Sequence, residues 1–128
     1  MVLLDTCVLV WLASDASKLS RRACELISRH GGALFISAIT GFEIAGKYRK
    51  ERLRLPLSPE EWIERALSHH GVAEAPIDWR IAARSAGPPL LHTDPCDRII
   101  VATAEAMDAV LLTPDSRIRA YPGVRVEW

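Results

Sequence analysis

At 128 residues, 49% hydrophobic and 25% charged, the chain has the size of one ordinary domain, and residues 1–128 are read as a single domain able to bury a core. No apolar run approaches the roughly eighteen residues a transmembrane helix needs, and Met1-Val2-Leu3-Leu4-Asp5 lacks the basic stretch and cleavage site of a signal peptide, which predicts a cytoplasmic protein without a membrane partner. Sixteen basic residues balance sixteen acidic ones, so no overall field favours a polyanion and any such binding requires a local patch.

In chain order, a first strand over residues 2–4 ends directly at Asp5. Leu19, Ala23, Leu26 and Ile27 form the apolar stripe of a helix closed by Gly31 and Gly32. A second strand at 33–36 runs through Ser37 into a helix carrying Glu43. Gly41 and Gly46 flank that acid, each costing about 1 kcal/mol against Ala, so the helix is expected to be loose or closely contacted by a partner. Lys47, Arg49, Lys50, Arg52 and Arg54 then crowd together with Glu51 as the single acid among them, and this run reads equally as a phosphate track and as a solvated helix face. Ser58 as cap, Pro59 at the first helical position and Glu61 completing a capping box open the next helix, striped by Trp62, Ile63, Ala66 and Leu67 and ended at Gly71. A strand follows at 72–77. Asp94 caps a helix opened by Pro95 and continued by Ile99, Ile100, Ala102, Thr103 and Ala106, after which strands fall at 109–112 and 124–126.

Strands alternating with helices predict right-handed crossovers and an α/β fold: three α/β/α layers around a mostly parallel sheet of about five strands. In such sheets the ligand crevice lies beyond the carboxyl ends of the strands. Asp5 follows the first strand, Ser37 follows the second and leads to Glu43, and Asp115 follows the 109–112 strand through Thr113-Pro114. Asp97 lies in the first turn of the Pro95 helix, whose positive N-terminal end can face the same edge.

Carboxylates gathered this closely repel by a few kcal/mol per pair at an effective dielectric of about 20, unless a cation neutralises them. A donor set of oxygens without a His or Cys ligand pattern suits Mg²⁺, which keeps several waters and works with phosphate substrates. Less specific readings compete: a lone Asp at a strand end is more often a helix cap, Glu43 is one turn from Lys47, and Asp94 rivals Asp97 for the catalytic place although Asp94-Pro95 is better suited to capping. Asp115 suits a turn or a short cap, and a lone His such as His92 is more often structural than a contact to RNA or metal-bound water. Cys7, Cys24 and Cys96 make neither a disulfide framework nor a zinc site and are expected to be buried, inert thiols. Trp11, Trp62, Trp79 and Trp128 are too scattered for a base-stacking platform and are assigned to core or interface.

Four segments resemble one family in order and at fitting spacing across nearly the whole chain. Leu3-Leu4-Asp5-Thr6 is similar to the opening strand and first acid of the PIN-domain ribonucleases, in particular the VapC toxins of toxin-antitoxin pairs. Ser37 with Phe42-Glu43-Ile44-Ala45 resembles their "S…WEIA" helix, His92-Thr93-Asp94-Pro95-Cys96-Asp97-Arg98 resembles "HxDPFDR", and Thr113-Pro114-Asp115-Ser116-Arg117-Ile118 resembles "TxDxRI". The resemblance implies that Asp5, Glu43, Asp97 and Asp115 are catalytic, metal-binding acids, with Thr6, Ser37 and Thr113 as polar neighbours. It further implies Mg²⁺ with Mn²⁺ as a substitute, an RNA substrate, a small antitoxin whose tail blocks the acids, often with an Arg, and a homodimer. Phe42 and Cys96 replace the family's usual Trp and Phe, and both positions are expected to pack. A phosphoacceptor domain would need an acidic pair after the first strand and a late Lys, and an Asp-nucleophile phosphatase would need D-x-D where Asp5-Thr6-Cys7 stands, so both are excluded. The remaining alternative is a PIN-like module that binds RNA or protein without cutting.

Overall fold

The computed structural model describes residues 1–89 and 92–128. Its centre is a sheet of five parallel strands, β1 (Val2–Leu4), β2 (Leu34–Ser37), β3 (Val72–Ala75), β4 (Val110–Leu112) and β5 (Arg125–Glu127), in the order β3-β2-β1-β4-β5. The helices are α1 (Thr6–Ser14), α2 (Arg21–Arg29), α3 (Ile39–Arg49), α4 (Pro59–His70), α5 (Trp79–Ser85) and α6 (Pro95–Met107). No helix of the described residues is long and apolar enough to cross a membrane.

β1 is the middle strand and all three of its side chains are fully buried. Successive strand residues point to opposite faces, and the core divides accordingly. Val2 and Leu4 pack with Val8, Leu9, Leu26, Ile44 and Trp62 from α1 to α4, whereas Leu3 packs with Ile100, Val101 and Ala104 of α6 and with Ile118 and Tyr121. These two cores, one on each face, make the three layers that strand and helix alternation predicts, and they explain why the central strand reads as an unbroken apolar run.

Local chemistry accounts for where most elements stop. Ser58 Oγ accepts the Glu61 N–H at 3.3 Å, Pro59 occupies the first turn of α4, and Gly71 ends that helix at φ +63°, a left-handed conformation in which a Cβ is strained. β3 halts at Ala75, short of the expected 77, since Pro76 has no N–H to continue the ladder. Two helices escape periodicity analysis. α1 carries Val, Leu and Trp with no polar face, so no stripe marks it, and α5 is a seven-residue helix announced only by Asp78, whose carboxylate accepts the Ile81 N–H at 2.9 Å. Two packing expectations fail. Phe42 is 69% exposed, because the buried positions of α3 are Thr40 and Ile44 and Phe42 falls between them on the outer side. Cys24 is exposed while Cys7 and Cys96 are partly buried, since α2 buries Ala23 and Leu26 and turns Cys24 outward.

Candidate metal centre

The carboxyl ends of β1, β2 and β4 lie side by side, with Leu4 in register with both Ile36 and Leu112. Asp5 is the first residue past β1. Its own N–H donates to the Leu112 carbonyl at 3.1 Å, so the sheet ladder fixes the position from which its side chain departs. It is also the N-cap of α1: Oδ1 accepts the Thr6 N–H at 2.7 Å while Oδ2 accepts the Thr113 hydroxyl at 2.6 Å. The cap reading and the site reading therefore describe the same carboxylate.

Glu43 projects from α3, which starts just beyond Ser37 at the end of β2. Its Oε1 accepts the Thr6 hydroxyl at 2.6 Å, and Thr6 Oγ1 lies 3.0 Å from Thr40 Oγ1. Thr6 commits its single hydroxyl hydrogen to Glu43, so Thr40 is the donor to Thr6. A pair of neutral hydroxyls thus ties α1 to α3 at Glu43. At the opening of α6 the two neighbouring aspartates separate in role: Asp94 Oδ1 accepts the Cys96 N–H at 2.9 Å as a helix cap, whereas Asp97, one turn in, turns toward the acids. Asp115 follows β4 through Thr113, whose Oγ1 accepts the Asp115 N–H at 3.1 Å, and Asp115 Oδ1 accepts the Arg117 N–H at 2.9 Å in a tight turn.

Two overlapping groups result. Asp5, Glu43 and Asp97 present oxygens within 4.8 Å of one another, and His92, Asp97 and Asp115 do the same, with Asp97 common to both. The four acids of the motifs therefore do not form one ring, and His92 joins the site although its sequence context favours a structural role. Its Nε2 lies 3.1 Å from Asp97 Oδ2 and 2.9 Å from Asp115 Oδ2, and the ring is only 2% exposed. The signal that could have found it is the His92-Thr93-Asp94 spacing, in which Nδ1 accepts the Asp94 N–H at 3.1 Å in a local turn.

Electrostatics follow from this crowding. Burial, joined by the charges of Asp5, Asp94 and Glu43, pushes the Asp97 carboxyl up to about 7. Burial likewise raises Asp5 and Glu43 above the ordinary carboxylate range, partly opposed by the Thr113 and Thr6 hydroxyls respectively. Asp115 moves the other way: its slight burial acts upward but is outweighed by the hydrogen bonds from His92 and the Arg117 N–H. The Cys7 thiol beside Asp5 is held up at about 12, first by burial and then by that charge, so it is no nucleophile. Lys47 lowers Asp5 and Glu43 through space but forms no ion pair with either among the described residues. Three carboxylates held this close, with no lysine or arginine paired to them among the described residues, match the demand of a hard divalent ion for oxygen donors.

A family model described as PIN domain matches residues 2–124. The chain is 33% identical over 121 residues to Ribonuclease VapC22 of Mycobacterium tuberculosis, covering 94% of this chain and 91% of that one. Among solved structures it is similar to VapBC2 from Rickettsia felis bound to a promoter DNA fragment (TM-score 0.73, 15% identity, 99% and 98% of the two chains). It is also similar to a toxin-antitoxin complex from Klebsiella pneumoniae (TM-score 0.66, 26% identity, 97% and 95%).

Proposed function

The chain belongs to the PIN domain family, and from that premise we propose that it is a divalent-metal-dependent endoribonuclease acting as the toxin of a type II toxin-antitoxin pair. The observation that carries the reading is the convergence of Asp5, Glu43 and Asp97 within 4.8 Å, joined to Asp115 through the shared Asp97 and His92. We assign Asp5, Glu43, Asp97 and Asp115 as the catalytic, metal-holding residues, with Mg²⁺ as the ion and Mn²⁺ as its substitute. When bound, the ion supplies an activated water and offsets charge on the phosphodiester oxygens. The protein's part is positional. Thr6 and Thr113 donate to Glu43 and Asp5, so that these carboxylates would be oriented before an ion arrives.

RNA is the proposed substrate, and the cations that follow Glu43 suit its backbone. Lys47 lies one turn beyond Glu43 on α3, and Lys47 and Arg52 line a cleft of about 170 Å³ together with Thr6 and Cys7, so the basic run starts at the edge of the acidic site. The partner is proposed to be a small antitoxin whose tail covers the acids, in keeping with the toxin-antitoxin complexes among the structural relatives; a homodimer and a cytoplasmic location complete the reading. The test is incubation of the purified protein and its Asp97→Asn variant with transfer and ribosomal RNA, with Mg²⁺ and with chelator. Cleavage that needs both Asp97 and Mg²⁺ supports the assignment. RNA binding without cleavage by the parent would replace it with the non-cutting module.

A further inference from the structure

The grouping of His92 with Asp97 and Asp115 has the look of a second metal position with an imidazole ligand. The hydrogen bonds around the ring say otherwise. Nδ1 accepts the Asp94 backbone N–H at 3.1 Å, so it carries a lone pair and the ring hydrogen resides on Nε2. That hydrogen is donated to Asp115 Oδ2 at 2.9 Å, and Asp97 Oδ2 lies 3.1 Å from the same nitrogen as a close polar contact. To ligate an ion, Nε2 would have to give up its hydrogen to Nδ1, where it would face the Asp94 N–H donor to donor. We propose that His92 is a positioning residue that clips Asp97 to Asp115, its Nε2–H donated to Asp115 and the same ring edge set against Asp97, and that it is not a metal ligand.

The backbone of His92 is built for such a role. Its N–H donates to the Tyr121 hydroxyl at 2.9 Å and its carbonyl accepts from Arg98 Nη1 at 3.1 Å, so the ring is anchored to the segment after β4 and to α6 at once. Those are the elements that carry Asp115 and Asp97. Asp97 is the acid common to both groups, so fixing its rotamer against Asp115 also fixes what it offers to Asp5 and Glu43. A polar ring edge set between two carboxylates steadies both without placing a fixed cation in the space an ion would enter. Outer hydrogen-bond partners of this kind typically change metal affinity by roughly 10–100-fold when removed.

The inference rests on the metal reading above, and its test separates the two. Ring nitrogens of ¹⁵N-labelled protein are read by two-bond ¹H–¹⁵N correlation, with chelator and then with saturating Mg²⁺, the His92 signals being assigned by their disappearance in His92→Gln. The expected result is the Nε2–H form in both spectra; loss of the Nε2 hydrogen on adding Mg²⁺ makes His92 a ligand and overturns the clip. Mg²⁺ affinity is then measured by calorimetry on two variants. Gln places its amide N–H at the Nε2 position, whereas Asn reproduces only the acceptor at Nδ1 that holds Asp94. His92→Gln should bind close to the parent and His92→Asn weaker by roughly 10–100-fold. Equal affinity for Asn and parent overturns the proposal, since only the acceptor toward the Asp94 N–H would then matter. A parent that binds no Mg²⁺ at all overturns the metal reading together with the role of His92 in it, an outcome distinct from a parent and an Asn variant that bind alike.

Discussion

Asp97→Asn removes one charge from the shared position of the site and should strengthen the metal-free fold. Raising the Asp97 carboxyl from 3.8 to about 7 corresponds to about 4 kcal/mol of disfavoured ionisation in the folded state. The sign follows from an acid whose folded value lies above its unfolded one: the penalty is absent below pH 4, grows through pH 4 to 7, and is complete above pH 7. The substitution also removes the carboxylate's attraction to the α6 N-terminus, worth about 0.3–1 kcal/mol, and its charge contact with the His92 ring at 3.1 Å. The net gain expected at pH 8 is about 3 kcal/mol, or about 10 °C in melting temperature for a domain of this size. Scanning calorimetry with chelator at pH 8 and pH 5 measures it: the advantage of the variant should be large at pH 8 and shrink toward pH 5. Adding Mg²⁺ should then raise the parent by RT ln(1 + [L]/Kd) and raise the variant less, because repulsion and ligation are removed together. A variant less stable than the parent at pH 8, with its Mg²⁺ response intact, would refute the reasoning and reduce Asp97 to a helix-terminal charge.

Asp94→Ala should show that opposite pattern in the same calorimeter, destabilised by about 0.5–2 kcal/mol with the Mg²⁺ response kept, because its carboxylate is engaged with the Cys96 N–H. Below pH 7, Mg²⁺ must displace a proton from Asp97, so apparent affinity should fall by as much as tenfold per pH unit toward pH 6; titration in two buffers of different ionisation enthalpy should reveal one proton released, and none released would contradict the raised Asp97 value. Replacing Arg49, Lys50 and Arg52 by Ser should lower RNA affinity and flatten its salt dependence by about 0.7 log unit for each phosphate no longer neutralised, and an unchanged slope would assign the run to solvent or to the proposed antitoxin. Asp5→Asn should cut RNA cleavage by orders of magnitude, checked by gel assay on material shown to be folded, since it keeps the shape of the α1 cap while removing the charge.

Much of this arrangement is legible in the chain because parallel α/β topology converts sequence order into position. Asp5 and Thr113 lie 108 residues apart, yet each is the first residue beyond a central strand, and β1 pairing in register with β4 leaves them side by side. What the sequence conceals is whatever periodicity does not mark. α1 is apolar on every side, so no stripe distinguishes it from a strand, and α5 is too short to complete a pattern. Phe42 follows the same logic in reverse: occupying a family Trp position suggests burial, but the helical phase set by Thr40 and Ile44 turns it outward. His92 reads in sequence as a lone histidine because its two carboxylate partners are five and twenty-three residues away and meet it only after folding.

The hydrogen-bond donors around the acids explain how the carboxylates stay gathered without a bound cation. At an effective dielectric of about 20, two carboxylates 4.8 Å apart repel by about 3 kcal/mol, and Asp97 faces more than one neighbour. A lysine or arginine seated among them would relieve that energy permanently and would compete with the ion for the same oxygens. Asp115 at the edge has one, Arg117 Nε at 3.6 Å from its Oδ1, but among the described residues Asp5, Glu43 and Asp97 are met by the hydroxyls of Thr6 and Thr113, the Thr6 backbone N–H and the His92 ring. Each of these steadies a carboxylate by about 1.5–3 kcal/mol without adding a full positive charge. The unfavourable ionisation that remains is marked at Asp97, the acid shared by both groups, whose carboxyl is pushed up to about 7 first by burial and then by the charges of Asp5, Asp94 and Glu43. An ion bound there would relieve that unfavourable ionisation, which makes Asp97 a position where binding, stability and pH dependence should be tightly linked.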